Sequence, residues 1–223
     1  MFVCSEYWSL AIVPLSSVTV RGTSCITAGS WVTIMTVLPD ICSKIELMIC
    51  FAALNSMGGE GTVAMWVNST TSQERIIWSV QDASASVGLE VKTRSNNPPF
   101  FAVEASGGGM SAISLVGTET YTVGSWVHLT ITQDGTDCKI YTNGVVGQSG
   151  TDSGDWIEDM SGIDGGRIGC KAPRNSGSIN EGFDGKLDEI GIWDRALTQG
   201  EVTLLQTNSP STIPSGLKVY YDC

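Results

Sequence analysis

Positive charge is scarce in this chain of 223 residues. It has 12 lysines and arginines against 23 aspartates and glutamates, which leaves a formal net charge of −11. A surface that binds nucleic acid needs basic side chains to neutralise phosphates, and a chain of this charge repels them. The composition therefore predicts that nucleic acid is not a partner.

Long apolar runs and a recognisable leader are also missing. The apolar run 45–54 has only ten residues and contains Glu46, whereas a membrane-spanning helix needs about 20. The first basic residue is Arg21, and Glu6 and Pro14 interrupt the apolar start, so no signal peptide is recognised. We therefore expect no insertion into a membrane.

Cysteine spacing gives no sign of a zinc site. The seven cysteines include no two C-x-x-C pairs at zinc spacing. Their odd number leaves at least one thiol without a partner in the chain. Buried free thiols are one interpretation and disulfides of a secreted protein are the other, and both stay open at this stage.

Short alternating segments dominate residues 61–206, with Ser, Asn, Gly and Pro between them. The clearest pair of strands is 127–132 and 138–142, which a QDGTD turn joins and the turn signal Asn143-Gly144 follows. Other segments rich in β-branched and aromatic residues are 62–67, 75–80, 87–93 and 100–105. This pattern predicts an all-β fold, an antiparallel two-sheet β-sandwich of the jelly-roll type.

The segment FDGKLDEIGIWDRALTQGEV (183–202) changes its period halfway. Its first half alternates like a strand, and its second half has the spacing of a short helix. Thr198 and Glu201 form a capping-box pattern, and Arg195 is placed to pair with Asp194 or Glu201. We expect this strand to close the sandwich with Trp193 buried, and the short C-terminal helix to pack over its end.

Three segments, in this order and spacing, resemble the laminin-G-like domains of the concanavalin A-like lectin/glucanase superfamily. GSWVHLTITQDGTDCKIYTNGVV is similar to that family's W-H-H-V-A…D-G…L-Y-V-N-G hairpin. FDGKLDEIGIWDRALTQGEVTLL is similar to its closing F-x-G-x-I-D-E-V-R-I-W-N-R-A-L-S-x-x-E-I signature, and GTVAMWVNSTT to an early strand. The resemblance implies a concanavalin A-like sandwich over about residues 60–206, but this fold hosts many functions.

The two ends of the chain depart from the family pattern. Residues 1–60 are either part of the sandwich or a degenerate repeat, since TAGSWV (27–32) matches TVGSWV (122–127) at five of six positions. Residues 61–206 are the predicted sandwich, and residues 207–223 are a linker with an extra strand in GLKVYYD. That strand either pairs back into the same sandwich, which we favour, or projects into a neighbouring module or subunit.

We expect a non-enzymatic binding module on an exterior surface, with glycan recognition or adhesion as its function. Lectin sites combine aromatic rings with amide and carboxylate groups, often on loops. Residues of these types in the two long loops are Asp155, Trp156, Asn175 and Asn180. The expected partner is a glycan or a surface protein.

A structural module of a virion or filament, such as a decoration or fibre protein, is the alternative. The linker and the restarted strand are typical of tandem modules, which gain avidity by repetition. Self-association or assembly into a particle therefore stays open, and so does the choice between a virion surface and the extracellular space.

Calcium is the cofactor that the resemblance implies. In calcium-binding relatives an Asp of the closing strand helps to hold a structural calcium, and the matching residue here is Asp188, with Asp184 as a further oxygen ligand. Calcium takes six to eight oxygen ligands from carboxylates and carbonyls. The alternative is that Asp188 accepts hydrogen bonds from N–H groups of a turn.

Catalytic machinery is not recognised in the sequence. Glycoside hydrolases of this superfamily carry two carboxylates in an E-x-D-x-x-E run, whereas Asp155, Glu158 and Asp159 have another spacing. His128 is the only histidine and lies in an alternating strand, so we expect it to be structural. The sequence therefore predicts no enzymatic activity.

Overall fold

Two β-sheets make up the computed structural model. It describes residues 21–27, 30–36, 47–48, 54–82, 87–106, 114–151, 156–160, 162–163, 165–170 and 182–222. No helix among these residues is long and apolar enough to cross a lipid bilayer.

Fourteen strands and one α-helix lie in the described ranges. The strands of the first half are β1 (Arg21–Thr27), β2 (Ser30–Thr36), β3 (Leu47–Met48), β4 (Glu60–Ser69), β5 (Arg75–Asp82), β6 (Val87–Arg94) and β7 (Phe100–Ser106). Those of the second half are β8 (Ser114–Thr120), β9 (Val127–Asp134), β10 (Asp137–Thr142), β11 (Val145–Thr151), β12 (Gly165–Ile168), β13 (Gly185–Trp193) and β14 (Leu217–Asp222). The helix α1 is Gln199–Leu204, and two 3₁₀ turns cover Ile157–Asp159 and Pro210–Thr212.

The strands form an eight-stranded sheet and a six-stranded sheet. The order of the first is β1-β2-β14-β13-β4-β9-β10-β11, and that of the second is β3-β12-β5-β6-β7-β8. The pairing of β14 with β2 is parallel, and the ladders between the long strands of the sandwich, such as β4–β9 and β5–β6, are antiparallel. The predicted antiparallel β-sandwich with a short C-terminal helix is confirmed.

The strand β13 lies in the middle of the eight-stranded sheet. It pairs with β4 on one side and with β14 on the other. Of the two alternatives for residues 217–222, the structure thus shows pairing within the same sandwich. The described parts of residues 1–60 also join it, because β1 and β2 extend the eight-stranded sheet and β3 pairs with β12.

The main hydrophobic core lies between the two sheets. Alternate residues of β4 and β9 point into it, among them Val63, Met65 and Leu129, all fully buried. Burying one such side chain stabilises the fold by roughly 1.5–3 kcal/mol. In β13 an irregularity between Asp188 and Gly191 shifts the alternation. The core therefore receives Leu187, Ile190 and Ile192 from this strand.

A second cluster lies on the outer face of the eight-stranded sheet, beneath α1. Its central side chain is Trp193, which is fully buried and donates its indole N–H to the carbonyl of Ile213 at 2.8 Å. The predicted capping box is confirmed, since Thr198 accepts from the Glu201 N–H and Glu201 accepts from the Thr198 N–H. Arg195 pairs with Glu201. These contacts fix α1 over one end of this face.

Candidate functional site

Five side chains form what we call the outer-face patch, at the other end of the outer face of the eight-stranded sheet. Alternate residues of β4 point into the core, and these are Val63, Met65 and Val67. The residues that follow Met65 and Val67, which are Trp66 and Asn68, therefore point outward. Trp66 lies opposite Asp188, and Asn68 lies opposite Lys186, both of β13. The fifth residue is Trp126, which precedes the core residue Val127 at the start of β9.

The two indoles are the apolar part of the outer-face patch. Trp126 is 44% exposed, the largest exposed fraction of an aromatic side chain among the described residues. Trp66 is half-buried. Since Val67 pairs with Val127, the two tryptophans occupy diagonal positions on neighbouring strands, where side chains start roughly 7 Å apart. A flat apolar ligand could lie across both rings.

Hydrogen-bonding groups surround the indoles. The Asn68 side-chain amide donates to the carbonyl of Gly124 at 3.3 Å, and the Gly124 N–H donates to the carbonyl of Ser69 at 2.7 Å. These bonds tie the turn before Trp126 to the end of β4 and orient the amide. Lys186 is exposed and Asp188 is half-buried. The patch therefore offers an amide, an ammonium and a carboxylate next to two aromatic rings.

His128 lies beside Trp66, directly opposite it on β9. It is 2% exposed, and its Nδ1 lies 3.0 Å from the side-chain nitrogen of Gln206 and 3.3 Å from the hydroxyl of Thr130. Since an amide nitrogen only donates, Nδ1 is the acceptor in the contact with Gln206. Burial lowers the pKa of His128 to about 4, so the ring is neutral at pH 7. These neighbours fit the structural role that the sequence predicts.

A group of three carboxylates adjoins the outer-face patch. Asp188, Glu189 and Asp222 each offer an oxygen within 4.8 Å of the others. Glu189 has a left-handed backbone (φ 50°) and accepts a hydrogen bond of 2.7 Å from the Tyr220 hydroxyl. Burial raises the pKa of Glu189, as do the neighbouring charges of Asp222 and Asp188. Carboxylate oxygens are the ligands that calcium prefers, so this group could hold such a cation.

Asp184 does not take part in that group of carboxylates. It is exposed and pairs with Arg75 at 3.0 Å, close to the start of β13. The structure therefore does not bring the two predicted calcium ligands together, and the carboxylates next to Asp188 are those of Glu189 and Asp222. One oxygen of Asp188 accepts the N–H of Glu189 at 2.8 Å, within β13.

Trp156 is a core residue, so its assignment to a glycan-binding loop is wrong. Its side chain is fully buried. The indole packs so closely against β4 that a Cβ atom at Gly61 would collide with its ring nitrogen. No sugar could stack on a ring covered in this way. Three other predicted binding residues, Asp155, Asn175 and Asn180, lie outside the described residues.

The sequence contains a signal for the two tryptophans that do reach the surface. In TVAMWV the core-facing positions are Val63, Met65 and Val67, so the alternation alone places Trp66 outward. The same argument applies to Trp126 before Val127. Neither residue is among the binding residues expected from the sequence, which lie in the long loops.

The chain belongs to the concanavalin A-like lectin/glucanases superfamily, because the family model of that description, of the laminin G type, matches residues 48–203. This confirms the family that the sequence resembles. A search of curated proteins finds no match.

Solved structures of the same fold include a pentraxin and a carbohydrate-binding module. The heptameric SAP-like pentraxin of Limulus polyphemus is 18% identical, with a TM-score of 0.53, over 68% of this chain and 71% of the pentraxin. The CBM40 module of the Ruminococcus gnavus IT-sialidase, bound to α2,3-sialyllactose, is 14% identical, with a TM-score of 0.60, over 73% of this chain and 97% of the module. At these identities the likeness shows the fold alone.

A sialidase structure also contains this fold. The NanB sialidase of Streptococcus pneumoniae is 18% identical, with a TM-score of 0.57, over 72% of this chain. The match covers only 26% of the sialidase. The matched part of this chain therefore corresponds to about a quarter of that sialidase.

Proposed function

We propose that this chain is a non-catalytic glycan-binding module and that the outer-face patch is its binding surface. The observation that carries the proposal is the placement of Trp66 and Trp126 on one sheet face, next to an amide, an ammonium and a carboxylate. Both rings are held by strands and by a tethered turn, so little conformational entropy is lost when a ligand binds.

A sugar ring matches these groups chemically. One face of a pyranose carries C–H groups that pack on an aromatic ring, and its rim carries hydroxyls that donate and accept hydrogen bonds. Binding sites for small molecules are typically built in this way, from aromatic side chains and a few oriented polar groups. The Asn68 amide, the Lys186 ammonium and the Asp188 carboxylate supply both donors and acceptors.

The outer-face patch fits a small ligand better than a protein partner. A stable protein–protein interface takes roughly 20–30 residues from each side. The patch has five, with α1 at one end and the charged residues Glu189 of β13 and Asp222 of β14 beside Asp188. The carbohydrate-binding module from R. gnavus, crystallised with sialyllactose, supports glycan binding by this fold.

Adhesion through surface glycans, on a virion or in the extracellular space, is the setting that we propose for such a module. The alternative role, a structural module of a virion or filament, depends on contacts between copies of the chain and needs no sugar. If the chain binds sugar and loses this binding when an indole is removed, its role is glycan binding and not that of a structural module.

A glycan array tests the proposal with three proteins. We expect the wild type to bind at least one glycan and Trp126→Ala to bind it at least ten times more weakly, which corresponds to about 1.4 kcal/mol. Val145→Ala is the matched control, because Val145 is a 57% exposed apolar residue on the edge strand β11, and it should bind like the wild type. Equal loss in both variants, or binding unaffected by Trp126→Ala, would refute the assignment of the site.

A further inference from the structure

Building on the proposed function, we infer that the outer-face patch, in the absence of divalent cations, selects uncharged sugars and rejects acidic ones. The inference names the ligand class of the same site. It rests on the distribution of charge near the two indoles and on the ion pairs that basic side chains nearby already form.

Negative charge lies on the β13 side of Trp66. Lys186 is the one basic residue of the outer-face patch, and Asp188 of the same patch offsets it. Beyond Asp188 lie Glu189 and Asp222, with carboxylate oxygens within 4.8 Å of each other and of Asp188. The described side chains in and next to the patch thus carry one positive and three negative groups.

Two other basic side chains of this sheet, on β10 and β14, are already paired. Lys139 pairs with Asp134 at 3.0 Å and Lys218 pairs with Asp194 at 2.7 Å. An acidic sugar would have to compete with these carboxylates for the two ammonium groups.

Arginine, the residue best suited to hold a carboxylate by two parallel hydrogen bonds, is also committed here. Both terminal nitrogens of Arg195 donate to Glu201, at 2.9 and 2.6 Å, and its Nε donates to the carbonyl of Ser215. Arg75 pairs with Asp184. Each guanidinium thus already binds a carboxylate of this chain.

The local carboxylates matter more than the net charge of −11. Salt screens charges that are more than about 8 Å apart at physiological ionic strength, whereas adjacent groups are screened much less. Two like charges about 6 Å apart near a protein surface repel with an energy that weakens binding by roughly threefold to a hundredfold. We therefore expect an acidic sugar to bind about ten times more weakly than its neutral counterpart.

The experiment compares matched glycan pairs, with and without a terminal sialic acid, by titration in the presence of a chelator. We expect the neutral member to bind about ten times more tightly, and the difference to shrink at higher salt. The difference should also shrink in Asp222→Asn. It should stay as in the wild type in Glu119→Gln, which neutralises an exposed carboxylate on β8 of the other sheet.

Equal or tighter binding of the sialylated member would overturn this inference and leave the proposed function intact. So would a difference that neither salt nor Asp222→Asn reduces. If the folded protein binds neither member of any pair, the proposed function fails, and the inference fails with it.

Discussion

Trp66 packs edge-to-face on His128, with 5.1 Å between the ring centroids and 75° between the ring planes. His128 in turn accepts a hydrogen bond from Gln206, in the turn that follows α1. A chain of contacts therefore runs from the helix at one end of the sheet face to the indole of the proposed site. The helix covers one end of this sheet face, and the turn that follows it supports the proposed site through Gln206 and His128.

Acid should destabilise the fold through His128. Burial lowers the pKa of His128 to about 4 from an ordinary value of 6.5, so the unfolded chain takes up a proton at a pH where the folded chain does not. The contribution to stability is complete above pH 6.5 and is lost as the pH falls towards 4, by roughly 3 kcal/mol in all.

Urea unfolding of wild type and His128→Gln between pH 4.5 and 8 measures this contribution. The variant should lose that part of the pH dependence which lies between pH 4.5 and 6.5, whatever its stability at pH 7. Equal pH dependence of the two proteins would show that His128 titrates normally in the fold.

Truncating Trp193 should destabilise the protein strongly. Its indole is fully buried under α1, packs over Gly191 and donates a hydrogen bond to the Ile213 carbonyl. Trp193→Ala should cost roughly 3–5 kcal/mol. The matched variant Trp126→Ala removes an exposed indole and should change the free energy of unfolding by about 0.5 kcal/mol or less. Equal thermal melts of these two variants would mean that α1 is placed wrongly.

Calcium should stabilise the protein through Asp188, Glu189 and Asp222. A cation would relieve the repulsion that raises the pKa of Glu189, and saturation at about 100 times Kd adds about 2.7 kcal/mol. For a chain of this size that corresponds to a rise of roughly 5–10 °C in Tm.

Two carboxylate variants distinguish the calcium ligands. Glu189→Gln should abolish the rise in Tm, whereas Asp184→Asn should keep it, because Asp184 pairs with Arg75 instead. If calcium does not change the Tm of the wild type, the prediction of a calcium site is wrong. If the rise in Tm is lost in Asp184→Asn, calcium is bound by Asp184 and Asp188, as the sequence predicts.

Glycoside hydrolysis is not expected. The acidic residues of the DWIEDM segment do not have the spacing of the catalytic run. Glu158 is exposed, and Asp159 accepts the N–H of Trp156 at 2.7 Å, which stabilises a 3₁₀ turn. Release of sugar from β-glucans or galactans, if it disappeared in Glu158→Gln, would prove this prediction wrong.

Local patterns in the sequence predicted the strands well, because a sandwich strand alternates between core and surface. The closing strand β13 and the capping box of Thr198 and Glu201 are examples. The sequence does not determine the pairing of β14, since alternation within one segment does not show which strand lies beside it.

The candidate site was harder to predict because it depends on contacts between distant segments. Trp156 and Trp126 both lie in segments rich in Gly and Ser, yet Trp156 is buried because Gly61 of β4 leaves room for its ring. Asp222 joins Asp188 only because β14 pairs with β13. Neither relationship has a local signal in the sequence.

The indole N–H signals of the seven tryptophans, followed by NMR during titration with a glycan that binds, test the proposed site most directly. We expect the signals of Trp126 and Trp66 to shift with the glycan concentration, and those of the buried Trp78, Trp156 and Trp193 to stay in place. Glycan binding that leaves the signals of Trp126 and Trp66 unchanged would contradict the assignment of the outer-face patch as the binding surface.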